Sequence, residues 1–154
     1  MMNSIDGFDT KILARLQCDS SITNQVIGEE IGLSASQVSR RRTRLEEDGV
    51  VRRYRAVLAA EPLGFQVSAI IGVSLSRHSG DNAQNFRRLV SMLPEIQEAH
   101  VMTGDMDYLL KVTVRDLKDL SRLINDELLV HQSVDNVRSS VILETLADSN
   151  CLPI

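Results

Sequence analysis

The sequence predicts an α+β chain of two domains. An N-terminal winged helix-turn-helix is followed by a ferredoxin-like β-α-β-β-α-β domain. Three observations lead there. A serine-glutamine capping box opens an arginine-rich helix in the first third of the chain. Apolar spacing then switches between strand and helix periods in the order β-α-β-β-α-β. The charge is also divided: Met1–Ala60 carries nine Lys/Arg and eight Asp/Glu, and the rest carries eight and thirteen. The expected boundaries are residues 1–55 for the first domain, 56–66 for a linking strand and hinge, and 67–154 for the second domain.

Asp6-Gly7-Phe8-Asp9 reads as a helix start, with Asp6 as N-cap and a second carboxylate near the positive end of the helix dipole. Phe8, Ile12, Leu13 and Leu16 follow at helical spacing as one apolar face. A second helix starts at Thr23, turns Val26, Ile27 and Ile31 inward, and stops at Gly32. Ser34-Ala35-Ser36-Gln37 then forms the capping box. The helix it opens has Val38 and Leu45 on one side, polar and basic residues around the rest, and Gly49 at its end. Val50–Val57 is β-prone with basic residues at its tip, as expected of a wing.

Two helices joined by the short Gly32-Leu33-Ser34 turn match the helix-turn-helix pattern. In such a unit Ser34, Ser36, Gln37 and Ser39, near the start of the second helix, are the candidates for base edges of double-stranded DNA. Arg40, Arg41, Arg42 and Arg44, with Arg52 and Arg53 beyond, are the candidates for phosphates. Ser36–Arg55 holds seven arginines against three acids, a local basic patch within a chain of net charge −4. Arginine runs usually just solvate a helix face. Here cap, turn, basic helix and basic segment occur together and in order, which favours a polyanion partner.

Other classes are poorly served. No apolar run reaches the ~18–20 residues of a membrane helix, and the N-terminus lacks a signal-peptide pattern, so a cytoplasmic location without membrane association is expected. Cys18 and Cys151 are too few and too distant in sequence for a disulfide framework or metal clip, and two reduced thiols are expected. His78, His100 and His131 have no ligand-like spacing, so no metal is expected. Asp105 and Asp107 alternate on an extended chain, which argues against a shared acid-base site. Gly104 alone does not make a phosphate loop. No catalytic residue and no cofactor are expected.

In the second domain Pro62-Leu63-Gly64 ends the linking strand. Val67–Ser76 alternates, with Val67, Ala69, Ile71, Val73 and Leu75 on one face. Asp81–Leu93 is amphipathic and stops at Pro94; Ile96–Thr103 and Tyr108–Val114 read as strands around the Gly104-Asp105-Met106-Asp107 turn. Leu117, Leu120, Ile124 and Leu128 mark a second helix, and Val134–Leu146 a long last strand. With both helices on one face, the other face is bare, and Ile70, Gly72 and Ile142 make it partly apolar. A homodimer at least is expected.

Several segments in order are similar to the Lrp/AsnC (feast/famine) family of transcription regulators. They are Ile5-Asp6-x-x-Asp9-x-x-Ile12-Leu13, Ile31-Gly32-Leu33-Ser34 and Arg41-x-x-Arg44-Leu45-Glu46-Glu47-x-Gly49-Val50-Val51. Further on come Leu63-Gly64-Phe65, Thr103-Gly104-Asp105-Met106-Asp107-Tyr108-Leu109-Leu110 and Leu152-Pro153-Ile154. The resemblance covers Ile5–Ile154 and implies a DNA-binding domain joined to a sensing domain, dimers that assemble to tetramers or octamers, and an amino-acid effector. It implies an effector site between dimers at Met102, Thr103, Gly104, Asp105 and Asp107, with Ser139 and Ser140 of the last strand. Backbone amides at a glycine turn suit a carboxylate, and an aspartate suits an α-ammonium.

Three positions depart from the family pattern. Gly28 replaces an alanine, at an expected cost of roughly 1 kcal/mol of helix stability. Arg42 replaces Val or Ile; its stem is expected to cover the core and its head to add a phosphate contact. Ala147 replaces a lysine near the C-terminus, where it bears on assembly or effector response. The reading from sequence is a sequence-specific DNA-binding transcription regulator. The alternative is a small-molecule-sensing oligomer that acts mainly through a protein partner.

Overall fold

The computed structural model describes residues 4–76, 81–147 and 151–154; His78 lies outside the described residues. The chain forms two compact units, Met1–Val57 with Ala147–Ile154, and Leu58–Leu146. The last residues, expected with the second domain, thus cluster with the first. There Leu152 N–H donates to Gln17 Oε1 at 2.5 Å and Gln17 Nε2 to the Leu152 carbonyl at 3.3 Å.

The first unit holds three helices, α1 (Gly7–Cys18), α2 (Asn24–Ile31) and α3 (Ala35–Glu47). Each starts at a side-chain cap. Asp6 caps Phe8 and Asp9 with Asp9 reaching back, Thr23 caps Val26, and Ser34 forms its box with Gln37. Ile12, Leu16, Ile27, Val38 and Leu45 make the core, with Leu13, Ile31, Val50 and Val51 packed against it. Phe8 and Val26 depart from expectation and are 41% and 42% exposed. The Phe8 ring instead lies under the Arg41 and Lys11 cations, at 5.5 and 5.9 Å from its centroid.

Gly28 reverses its expected cost. A Cβ there would press on the Leu33 backbone carbonyl oxygen well inside contact distance, so glycine lets the turn fold this closely onto α2 and any larger residue would make it shift. The Gly28 carbonyl accepts both Gly32 and Leu33 N–H, each at 2.9 Å, and Gly32 closes the helix at φ 79°.

The segment expected to form a wing strand carries no strand. Val51 N–H bonds the Leu45 carbonyl at 3.0 Å, and Arg52–Val57 is then exposed. Among the described residues the first strand begins at Val67, so this segment finds no ladder partner in its own unit.

The second unit opens with a 3-10 turn, Glu61–Leu63, followed by Gly64 at φ 85°. Then come β1 (Val67–Leu75), α4 (Asn82–Met92), β2 (Ile96–Val101), β3 (Tyr108–Val114), α5 (Leu117–Arg122) and β4 (Val134–Val141). The antiparallel sheet runs β2-β3-β1-β4, as the ferredoxin-like expectation requires. Ala69, Ile71 and Val73 of β1 and Leu110, Val112 and Val114 of β3 share one core with Phe86 and Leu89 of α4 and Leu120 of α5. Both helices therefore cover the same face. The other face carries Ile70 and Gly72, half-buried as the sequence led us to expect, together with half-buried Leu109, which the expectation did not name; Ile142 lies just past the end of β4.

Two strands stop early. β2 ends at Val101 because Met102 N–H bonds the Asp107 carbonyl at 2.9 Å but Asp107 N–H turns to the Val73 carbonyl instead of returning the bond. β4 ends at Val141, opposite Ala69, because β1 offers only one further bond, Ile142 N–H to the Ser68 carbonyl at 2.8 Å. The helix expected over 117–128 continues past Arg122 as a π turn, Leu123–Leu128, which brings two leucines five apart onto one buried face.

Candidate nucleic-acid interface and effector loop

The α2-turn-α3 unit presents one open helix face. Ser36, Gln37, Ser39 and Arg40 are exposed, along with Ser34 at the cap. Thr43 is also exposed and lies three and four residues beyond Arg40 and Ser39, on the same face. The sequence reading passed over Thr43, although helical spacing from Ser36, Ser39 and Arg40 was enough to find it.

The other arginines of α3 are engaged within the unit. Arg41 Nη1 donates to Asp6 Oδ2 at 2.7 Å and to Asp9 Oδ1 at 2.8 Å. Arg44 Nη2 donates to Asp9 Oδ2, and the Asp6 N–H bonds the same oxygen at 3.1 Å. The Asp9 side chain is fully buried, so α1 supplies a carboxylate that locks two turns of α3. The Asp9 N–H and the Arg41 guanidinium hold the Asp6 carboxyl below its ordinary pKa, and the Asp6 and Asp9 carboxylates raise that of Arg41. Arg42 turns to Glu46, Tyr54 and Asn24. Arg52 and Arg53 are exposed, and among the described residues neither enters an ion pair.

In the second unit, residues 102–107 form a loop folded over the end of β1. Asp107 N–H bonds the Val73 carbonyl at 3.0 Å, and Asp107 Oδ2 accepts Leu75 N–H at 2.7 Å. Ser74 Oγ bonds the Asp105 carbonyl and approaches Met106 Sδ, each at 3.4 Å. Met106 lies so close on Gly72 that a Cβ there would meet its Cε at 3.0 Å. Gly104, at φ 149°, turns the loop; Met102, Thr103, Gly104 and Asp105 are exposed.

Five of the seven effector candidates are thus brought into one loop. Ser139 and Ser140 are exposed on β4 opposite Ile71 and Ile70, on alternate faces, whereas Asn136 is the residue opposite Ser74. Within one chain the two serines are not gathered with the loop. Among the described residues no group of three or more His, Cys, Asp or Glu could hold a metal, and no helix is long and apolar enough to cross a membrane.

Comparison with known proteins matches these two halves separately. Residues 5–52 match a winged helix-turn-helix DNA-binding family model, and residues 68–152 match the Lrp/AsnC ligand binding domain. The leucine-responsive regulatory protein of Haemophilus influenzae is 36% identical over 149 residues, covering 97% of this chain and 90% of its own. That of Escherichia coli K12 is 35% identical over 150 residues, covering 97% and 92%. Among solved structures, a transcriptional regulator of Neisseria meningitidis in complex with L-Met superposes with a TM-score of 0.94 at 35% identity, covering 97% of each chain. An AsnC family transcriptional regulator from Agrobacterium tumefaciens gives 0.89 at 32% identity, covering 96% of each. With both halves matched in order along nearly the whole chain, this protein belongs to the Lrp/AsnC family of transcription regulators.

Proposed function

We propose that this chain is a sequence-specific DNA-binding transcription regulator whose affinity for DNA responds to an amino acid. The observation that carries the DNA reading is the open face of α3, where Ser36, Ser39, Arg40 and Thr43 project from a helix fixed by its cap and by Asp9. Hydroxyls and a guanidinium on such a face can donate to and accept from base edges in the major groove. Arg40, with Arg52 and Arg53, supplies phosphate contacts; Arg41 and Arg44 act chiefly by holding the helix, and keep part of their charge toward solvent.

The effector reading rests on the 102–107 loop, and on the neighbouring family member that binds L-Met. Exposed Asp105 suits the α-ammonium of an amino acid, and amides around Gly104 suit its carboxylate. Asp107 shapes the loop through Leu75. Ser139 and Ser140 would join such a site from another protomer. The half-buried apolar row Ile70, Gly72 and Leu109 supports a homodimer through the open sheet face, with further assembly to a tetramer or octamer. The relatives are transcription regulators, and no reaction is assigned. A cytoplasmic site of action follows from a DNA partner.

The test is binding to DNA upstream of the protein's own gene against scrambled DNA, over a salt series. Preferential binding that weakens steeply with salt supports the reading. Equal, weak binding to both DNAs, and to other genomic fragments, overturns it.

A further inference from the structure

Among the described residues of its own unit the basic segment after α3 has no strand ladder, yet one of its residues is fastened. Tyr54 Oη donates to Glu46 Oε1 at 2.7 Å and accepts from Arg42 Nε at 2.9 Å. One hydroxyl proton and one lone pair serve both bonds. The Arg42 guanidinium carbon lies 4.8 Å from the Tyr54 ring centroid, and its Nη1 reaches Asn24 Oδ1 at 3.5 Å. Arg42 Nε also pairs with Glu46 at 3.3 Å. Four side chains from α2, α3 and the following segment thus close one network.

The network stands outside the packed core. Val51 is the last residue of this stretch that packs against it, and Tyr54 itself is 41% exposed. Between these two anchored residues lie Arg52 and Arg53, and Arg55 directly follows the second. Among the described residues these three arginines enter no ion pair. Mutually repelling cations on an unladdered chain would otherwise spread over many conformations, and each phosphate contact would have to order them anew.

We propose that Tyr54 is a positioning residue for DNA binding: through Arg42 and Glu46 it holds Arg52, Arg53 and Arg55 beside α3, doing by side chains what a wing hairpin does by backbone. This rests on the reading of α3 as the DNA-facing helix. It also gives Arg42 a different part from the phosphate contact expected of it, since its charge is committed to the clasp.

The full-length protein carrying Tyr54→Phe keeps the ring over Arg42 and loses both hydroxyl bonds. Three measurements follow: affinity for the preferred DNA over a salt series, the same in an Arg52→Ala/Arg53→Ala background, and trypsin cleavage after Arg52, Arg53 and Arg55. The expected results are a Kd raised about tenfold, and a log-log salt slope reduced by roughly one to two, at ~0.9 per phosphate contact. Because Arg55 remains, the loss in the Arg52→Ala/Arg53→Ala background should be clearly smaller than in the parent, and cleavage of Tyr54→Phe at the three arginines should be faster. Tyr54→Phe that binds with the parent's affinity and slope overturns the positioning role while leaving the DNA reading intact. An equal loss in both backgrounds also overturns it, because the tyrosine would then act through general stability. A parent protein that shows no DNA preference overturns both at once.

Discussion

Arg41 donates at 2.8 Å to a carboxylate of Asp9 that has no exposure to solvent. That contact moves an arginine of α3 from the candidate DNA contacts toward the scaffold that holds the helix. Arg40, one residue before it, is exposed and enters no ion pair among the described residues. The two neighbours should therefore behave differently when truncated.

Arg40→Ala is expected to leave stability within about 0.5 kcal/mol of the parent, as for a surface substitution. Its DNA affinity should fall, with the salt slope reduced by about 0.9 if one phosphate contact is lost. Arg41→Ala is expected to lower stability by roughly 1–3 kcal/mol because the Asp9 oxygen loses a partner. Urea unfolding beside a gel-shift titration separates the two; identical profiles for both variants would refute the distinction.

Asp9→Ala should be more damaging than either. It strands the Arg44 guanidinium, leaves Arg41 with Asp6 alone and removes the acceptor of Asp6 N–H, and a loss of about 3 kcal/mol is expected. Denaturation monitored on the first unit, by helix signal, is the measurement. A loss under 1 kcal/mol would show that the arginines simply rehydrate.

Acid should loosen the same corner. The Asp6 carboxyl is held below its ordinary pKa by Asp9 N–H and Arg41, so its deprotonated form is favoured in the folded state. Its contribution is complete above the ordinary aspartate value of about 3.9 and is lost as pH falls through and below that value. Stability measured from pH 6 to pH 2 should decline less in Asp6→Asn than in the parent. Parallel curves would exclude a role for this carboxyl.

Gly28→Ala tests how much of this could be read beforehand. Helix propensity alone predicts a gain of roughly 1 kcal/mol. The overlap of the new Cβ with the Leu33 carbonyl predicts a net loss, of order 1–3 kcal/mol for overpacking against backbone. A thermal melt decides the sign. The caps, the turn at Gly32 and the alternation of β1 and β3 were legible because each depends on residues a few positions apart. The Leu33 contact, the Asp9 ion pairs and the Tyr54 clasp were not. They join residues from 5 to 35 positions apart, and what decides each is a distance in space. The wing strand failed for a related reason: β-prone composition proposes a strand, but only a partner supplies a ladder.

In the 102–107 loop, proposed to hold the effector, Asp105 and Asp107 should part company as well. Asp107→Ala removes the acceptor of Leu75 N–H and should lower the stability of the second unit by about 0.5–1.5 kcal/mol with or without effector. Asp105→Ala, at an exposed position, should leave the melting temperature unchanged and abolish the thermal shift given by an effector. An unchanged shift in Asp105→Ala would remove this loop from the effector site.

The most direct test is DNA affinity measured with and without each of a panel of amino acids, L-methionine and L-leucine included, for the parent and Asp105→Ala. The expected result is that one amino acid changes the parent's Kd for its preferred DNA about 5-fold or more, within the usual range of allosteric coupling. Asp105→Ala should bind the same DNA without that response. A Kd that no amino acid moves, or a variant that responds like the parent, would contradict the account.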